Sequence, residues 1–232
     1  LTMSEISVEP TGLAAAAFVL MMVGAIGKAG AMPFHTWIPD AALDAPVTFM
    51  AFLPAAFEKL LGIYLLARIS LDFFKIRPHS GLSILMMTIG AATIVLAVLM
   101  ALIQKDFKKL LSFHAISQVG YMVLGVGTAV PIGIAGGVFH MINHAMYKCG
   151  LFLSAGSVEH RTGTTELSKL GGLRKEMPLT AIGFTVCALS ISGVWPLNGF
   201  VSKEMVFHGA VETGYLVFAI AAWVGAIFTF AS

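Results

Sequence analysis

Charge is what this sequence has least of. Lys and Arg together number 14 and Asp and Glu 12 in 232 residues, so 11% are charged while 58% are hydrophobic. Soluble domains carry about 25% charged residues. With a mean hydropathy of +0.90, the composition excludes a water-soluble fold and leaves an integral membrane protein. Cysteine is almost missing as well. Cys149 and Cys187 stand in apolar stretches outside any CxxC pattern, which argues against a disulfide framework or a thiolate-held metal. The formal net charge of +2 is too small for a nucleic-acid face or a site for acidic ligands. No phosphate-cradling glycine loop, nucleophile elbow or cysteine cluster occurs, so the chain carries no redox chemistry of its own.

Long apolar runs fill the space that charge leaves. A membrane span needs about 20 mostly apolar residues. Six stretches reach or approach that length, at 12–34, 47–69, 81–103, 110–130, 132–157 and 179–197, and a seventh begins at 215 and runs to the C-terminus. A shorter apolar piece at 201–211 reads as the second half of a broken helix. Seven of the loop lysines and arginines (Lys105, Lys108, Lys109, Arg161, Lys169, Arg174 and Lys175) fall on one side, against Arg68, Lys75 and Arg77 on the other. That bias places 104–109 and 159–177 in the cytoplasm and the N-terminus outside. The chain begins at Leu1 rather than Met and stops inside AIAAWVGAIFTFAS, which reads as a fragment of a longer subunit. The expectation is one all-α membrane domain over 1–232, with about seven transmembrane helices.

Against this background each charge inside a span needs a reason. Lys28 lies in GLAAAAFVLMMVGAIGKAGAMPF, just ahead of a break at Gly30 and Pro33. A lysine at a helix end commonly snorkels to the headgroups, but here the span continues past it. The break also frees carbonyls that need a polar setting, which favours a functional lysine. Glu58 and Lys59 sit midway along FMAFLPAAFEKLLGIYLLARI, where a single charge costs about 2.5–3.5 kcal/mol on insertion scales. They point about 100° apart on a helix and need not pair with each other. Either they form ion pairs with neighbouring helices or they handle protons, and the latter is favoured because a desolvated lysine titrates nearer neutrality.

GGVFHMINHAMYKCGLFL places His140, His144 and Lys148 at i, i+4 and i+8, one stripe along one helix face. HxxxH is also a zinc spacing. No carboxylate or cysteine flanks it as a further ligand, and Lys148 on the same face would repel a cation, so a proton relay is favoured. After a second break within 193–199, FVSKEMVFH brings Lys203, Glu204 and His208. This is either an interfacial amphipathic helix or a buried half-helix lining a cavity, and the preceding break favours the latter. His114, with Ser117 and Gln118, adds polarity to LLSFHAISQVGYMVLG, either as helix glue or as part of a water wire. His35 and Asp40, past the first break, are candidates to connect the interior with the cytoplasmic face. GKAGAMPFHTW and SGVWPLNGFVSKE echo each other, as interrupted segments in corresponding halves of inverted-repeat transporters do.

The strings GKAGAMPFHTWIPDA, KDFKKLLSFHAISQVGYM, FHMINHAMYKCGLFLSAGSV and LNGFVSKE, in that order, resemble the antiporter-like subunits of respiratory complex I. That family also occurs in multisubunit cation/proton antiporters and membrane-bound hydrogenases. The resemblance implies an inverted-repeat fold with two broken helices, 1–80 being the end of the first repeat and 81–232 most of the second. It implies that Lys28 and Lys203 are the lysines of the two broken helices. His140, His144 and Lys148 would lie on the relay helix between two half-channels, and Lys59 would match a lysine that some members carry on the next helix. Pro54 followed by Glu58 and Lys59 departs from members with a histidine on that helix. PDAALDAPVTFMAFLPAAFEKLLGIY looks most like the large antiporter-like subunit of energy-converting [NiFe] hydrogenases. The family's paired glutamate, on an earlier helix, has no counterpart here.

By that resemblance the chain is a proton- or sodium-translocating subunit of a redox-driven complex, of NADH-quinone oxidoreductase or [NiFe] hydrogenase type. No cofactor is expected in this chain; Fe–S clusters and a [NiFe] centre or flavin belong to a hydrophilic partner arm. Other membrane subunits, lipid, and protons or Na+ complete the expected partners, in a prokaryotic cytoplasmic membrane. Two rivals predict different behaviour. A stand-alone cation/proton antiporter works without an electron donor, and a structural anchor tolerates charge-neutral double replacements.

Overall fold

A computed structural model describes residues 8–232; Leu1 and the residues through 7 lie outside the described part. Among the described residues the only regular structure is helical. Lipid offers no partner for a free backbone N–H or C=O, so apolar runs of Leu, Ile, Val, Met and Ala close their hydrogen bonds within themselves. The order is α1 (Leu13–Ala29), α2 (Trp37–Asp44), α3 (Val47–Phe52), α4 (Glu58–Ala67), α5 (Gly81–Leu102), α6 (Phe107–Gly127), α7 (Pro131–Thr162), α8 (Leu173–Glu176), α9 (Pro178–Ser192), α10 (Asn198–Glu212) and α11 (Leu216–Ala231). Among the described residues three continuous helices are long and apolar enough to cross a membrane: Val47–Phe73, Gly81–Leu102 and Phe107–Gly127. Leu13–Ala29, Pro178–Ser192 and Leu216–Ala231 are shorter apolar helices.

Helix ends follow local chemistry. The Ser80 hydroxyl accepts from the Ser83 N–H at 3.2 Å, and the Asp106 carboxylate from the Lys109 N–H at 2.9 Å, capping α5 and α6. Proline opens α7 and α9 at Pro131 and Pro178, where its missing N–H costs nothing. The two breaks are left-handed glycine caps, Gly30 at φ 80° and Gly193 at φ 82°. Hence α1 ends at Ala29 rather than running on to 34, and the chain restarts as α2. At the second break Val194 N–H returns to the Leu189 carbonyl at 3.0 Å. This tight turn lets α10 start at Asn198, earlier than the 201 expected from hydropathy. Between α3 and α4 the helix widens into a π turn at Leu53–Phe57. Pro54 cannot donate the bond an α-helix needs at its position, and the Glu58 N–H instead reaches back to the Leu53 carbonyl.

The central post is α6, in which every residue except Lys109 and Leu110 is buried. It packs against α5, α7, α10 and α2. Small residues let the backbones approach: a Cβ on Gly90 would sit 2.6 Å from the Leu124 nitrogen. At the lysine-rich end the loops on either side of α6 and α7 are stitched together. Phe107 N–H donates to the Thr165 carbonyl and Leu167 N–H to that of Lys105, both at 2.9 Å. At the opposite end Val8 N–H donates to the Phe73 carbonyl at 3.0 Å.

Candidate functional site

Two broken helices, the π turn at Leu53–Phe57 and the 32-residue α7 bring the intramembrane charges toward a common axis. Lys28, in the last turn of α1, points its Nζ to 3.7 Å from the Glu58 Oε1. Its side chain is 50% exposed and that of Glu58 8%. The first lysine thus has a carboxylate neighbour at the start of α4. The glutamate that the resemblance implies on an earlier helix has no counterpart in this sequence. Glu58 Oε2 has no hydrogen-bond partner. Lys59, one residue on, turns away as the helical spacing requires. Its ammonium donates to the Pro54 carbonyl at 2.5 Å and is 1% exposed.

The stripe on α7 is fully buried: His140, His144 and Lys148 are each 0% exposed. Neither ring nitrogen of His144 meets hydrogen-bond geometry, although the ring faces the Ala55 backbone in the π turn. Lys148 Nζ likewise lacks a partner and lies 5.7 Å from the Phe152 ring centre, within cation–π range. His140 is the branch point. Its Nδ1 is 2.9 Å from the Ser202 hydroxyl on α10, and its Nε2 is 3.1 Å from the Gln118 Oε1 on α6 and 3.3 Å from the Tyr147 hydroxyl.

The second break holds Lys203. Its ammonium donates to the Ile191 carbonyl at 2.7 Å, an acceptor in the last turn of α9. It also stands 4.9 Å from the centre of the Tyr121 ring. The Tyr121 ring in turn lies 5.4 Å from that of His140. Lys59 and Lys203 therefore share one solution: a buried ammonium set against a carbonyl at a helix irregularity. Among the described residues no carboxylate lies within 4.0 Å of Lys59, Lys148 or Lys203. A buried lysine without an anion is costly when charged. The same break is stapled to α7: Ser190 Oγ donates to Asn198 Oδ1 at 2.6 Å and Asn198 Nδ2 to Asn143 Oδ1 at 2.9 Å. Asn143 Nδ2 completes the ring at the Asn198 carbonyl, 3.1 Å away. Asn198→Ala removes one partner from each of two buried groups. It is expected to cost about 1–3 kcal/mol, read as a lower thermal midpoint of the purified assembly, and Asn143→Ala should add little to it.

The other candidates lie beside this axis. Glu204 and His208 point to the outer face of α10, 48% and 56% exposed, and approach each other at 3.8 Å. With Lys203, Tyr121, Phe207 and Trp223 they line a groove of about 690 Å³ between α10 and α11. His114 is buried on α6, with Nε2 2.8 Å from the Ser232 hydroxyl and Nδ1 unpartnered. His35 is half-buried with an unpartnered Nδ1, its ring 6.4 Å from that of Phe113. Asp40 is exposed on α2. Among the described residues no group of three or more His, Cys, Asp or Glu side chains is placed to hold a metal ion.

Sequence reasoning passed over Tyr121, Tyr147, Asn143, Asn198 and Ser202. They carry no charge, and in sequence they are indistinguishable from ordinary helix glue. The available signal was spacing: Tyr147 falls seven residues after His140, on the same helical stripe.

Comparison with known proteins gives consistent matches. A family described as NADH:quinone oxidoreductase/Mrp antiporter, TM, matches residues 4–229. F(420)H(2) dehydrogenase subunit L of Methanosarcina mazei is 38% identical over 205 residues, covering 84% of this chain and 30% of that protein. Hydrogenase-4 component B of Escherichia coli is 38% identical over 213 residues, covering 85% of this chain and 31% of its own. Among solved structures, the Mrp complex from Dietzia sp. matches with a TM-score of 0.93 and 30% identity, over 99% of this chain and 43% of that one. The chain thus spans about a third of the length of these two curated relatives.

Proposed function

Because the chain belongs to the membrane-subunit family of NADH:quinone oxidoreductases and Mrp antiporters, we propose that it translocates protons, or Na+, across the membrane for a redox-driven complex. The observation that carries the reading is the buried axis itself. Lys28 and Glu58 meet at one helix break, Lys203 sits at the other, and Lys59, His144, Lys148 and His140 lie between them. A lysine held in a low dielectric binds its proton weakly, and a nearby carboxylate strengthens that binding. Shifting Glu58 relative to Lys28 and Lys59 would load or unload the first lysines. Protons then pass along the α7 stripe to His140 and, through Ser202 and Tyr121, to the surroundings of Lys203. In this proposal 1–80 closes a first repeat and 81–232 forms most of a second. Redox centres, of Fe–S and [NiFe] or flavin type, belong to partner subunits of a hydrophilic arm.

The test is the complete complex in sealed vesicles. Supplying its electron donor should drive acidification or alkalinisation that a protonophore collapses. The likeness to the Mrp complex favours one alternative, exchange of cations for protons without electron transfer. In that case a Na+ gradient alone, with no donor, would produce the pH change.

A further inference from the structure

Lys108 was read as one of the loop lysines that set orientation. The structure buries it: its side chain is 6% exposed and its Nζ lies 3.1 Å from Glu159 Oε1, with the Leu43 carbonyl at the end of α2 3.5 Å away. Glu159 is 36% exposed, so one carboxylate faces water on the lysine-rich side while its counter-ion is rooted in the bundle. Position matters as much as pairing. Along α7, Lys148, Phe152, Ala155 and Glu159 follow each other at i, i+4, i+7 and i+11, the stripe that already carries His140 and His144. Phe152 and Ala155 are 0% exposed. Glu159 thus lies about 16 Å along the helix axis from Lys148, given a rise of 1.5 Å per residue, with one aromatic ring and a small residue between them. Of the other carboxylates anchored at this end, Asp106 is occupied by the Lys109 N–H and the Thr165 hydroxyl, and Glu166 by Lys169 and the Ser168 hydroxyl.

We propose that Glu159, held by Lys108, is the group through which the buried axis exchanges protons with the aqueous phase on the lysine-rich side. Phe152 is the apolar plug between it and Lys148. The assignment rests on the proton-translocating reading above. Glu159 is wet on one side and belongs to the conducting stripe on the other, which none of His35, Asp40 or His208 combines. Lys108 is a positioning residue: its buried ammonium holds the carboxylate at the end of the bundle. The Phe152 ring against the Lys148 ammonium closes the path until it swings aside.

The experiment measures proton translocation per electron transferred, using the complete complex in vesicles. Glu159→Gln should lower it at least fivefold, and Glu159→Asp should recover more than half. Lys108→Met/Glu159→Gln removes the pair without leaving a lone charge, so it keeps the assembly's thermal midpoint yet stays as low as Glu159→Gln. Full translocation by that double variant would show a merely structural tie and overturn the assignment. Phe152→Ala should raise the passive proton leak without donor several-fold; an unchanged leak would overturn the plug. Lys203→Ala is run in parallel. If Lys203→Ala itself translocates fully, the proton-translocating reading fails. If Lys203→Ala is inactive while Glu159→Gln is at full rate, only the Glu159 assignment fails.

Discussion

Replacing Lys203 by alanine in the complete complex is expected to abolish ion translocation while leaving assembly largely intact. The ammonium is 6% exposed, and its hydrogen-bond acceptor is a backbone carbonyl, that of Ile191 at 2.7 Å. Losing it leaves that carbonyl unpaired, a penalty of about 1–3 kcal/mol. It also removes the cost of burying an ammonium that has no anion. The two terms oppose each other, so the change in thermal midpoint should be small. Transport has no such compensation. Lys203 is the titratable group at the second break, one residue after the Ser202 whose hydroxyl meets His140. A drop in translocation of at least tenfold, with the subunit present at normal stoichiometry in the purified complex, is the expected readout.

Glu58→Gln is expected to have an effect of the same order at the other end. It neutralises the carboxylate 3.7 Å from Lys28 and next to Lys59 while keeping the side chain's shape. Because Lys28 is half-exposed, the ion pair itself contributes little to stability, about 0–1 kcal/mol. The thermal midpoint should therefore move little. For translocation the loss should be tenfold or more, since Lys28 then has no carboxylate partner. A cycle of Lys28→Met, Glu58→Gln and the double variant should be strongly non-additive, the double being no worse than the worse single. Additive losses would mean the two residues act independently.

Much of this was legible in the chain itself. The apolar runs announce the spans, and a lysine beside a glycine and a proline announces each break. The three-residue ladder of His140, His144 and Lys148 is visible from spacing alone, because a helix places i, i+4 and i+8 on one face. Other features depend on contacts between distant segments. Glu58 was visible as a costly charge, but its partner Lys28 stands 30 positions earlier, and only the packing of α1 on α4 reveals the pair. Lys108 looked like any loop lysine until its helix began at Phe107 and turned it against Glu159. Glu204, next to Lys203 in sequence, and His208, five residues on, share its half-helix but are half exposed where Lys203 is buried. Position within a turn decides burial, and a break shifts that register unpredictably. The amide staple of Asn143 and Asn198 had no sequence signal beyond polarity.

Lys203→Arg puts the central claim to the most direct test, measured as translocation per electron in vesicles of the complete complex. Arginine keeps the positive charge and the bond to the Ile191 carbonyl but does not release its proton in proteins. If Lys203 works by loading and unloading a proton, the arginine variant assembles normally and translocates as poorly as Lys203→Ala. Translocation by Lys203→Arg at the unsubstituted rate would contradict the account, leaving the buried lysine as a structural charge and the axis as scaffolding.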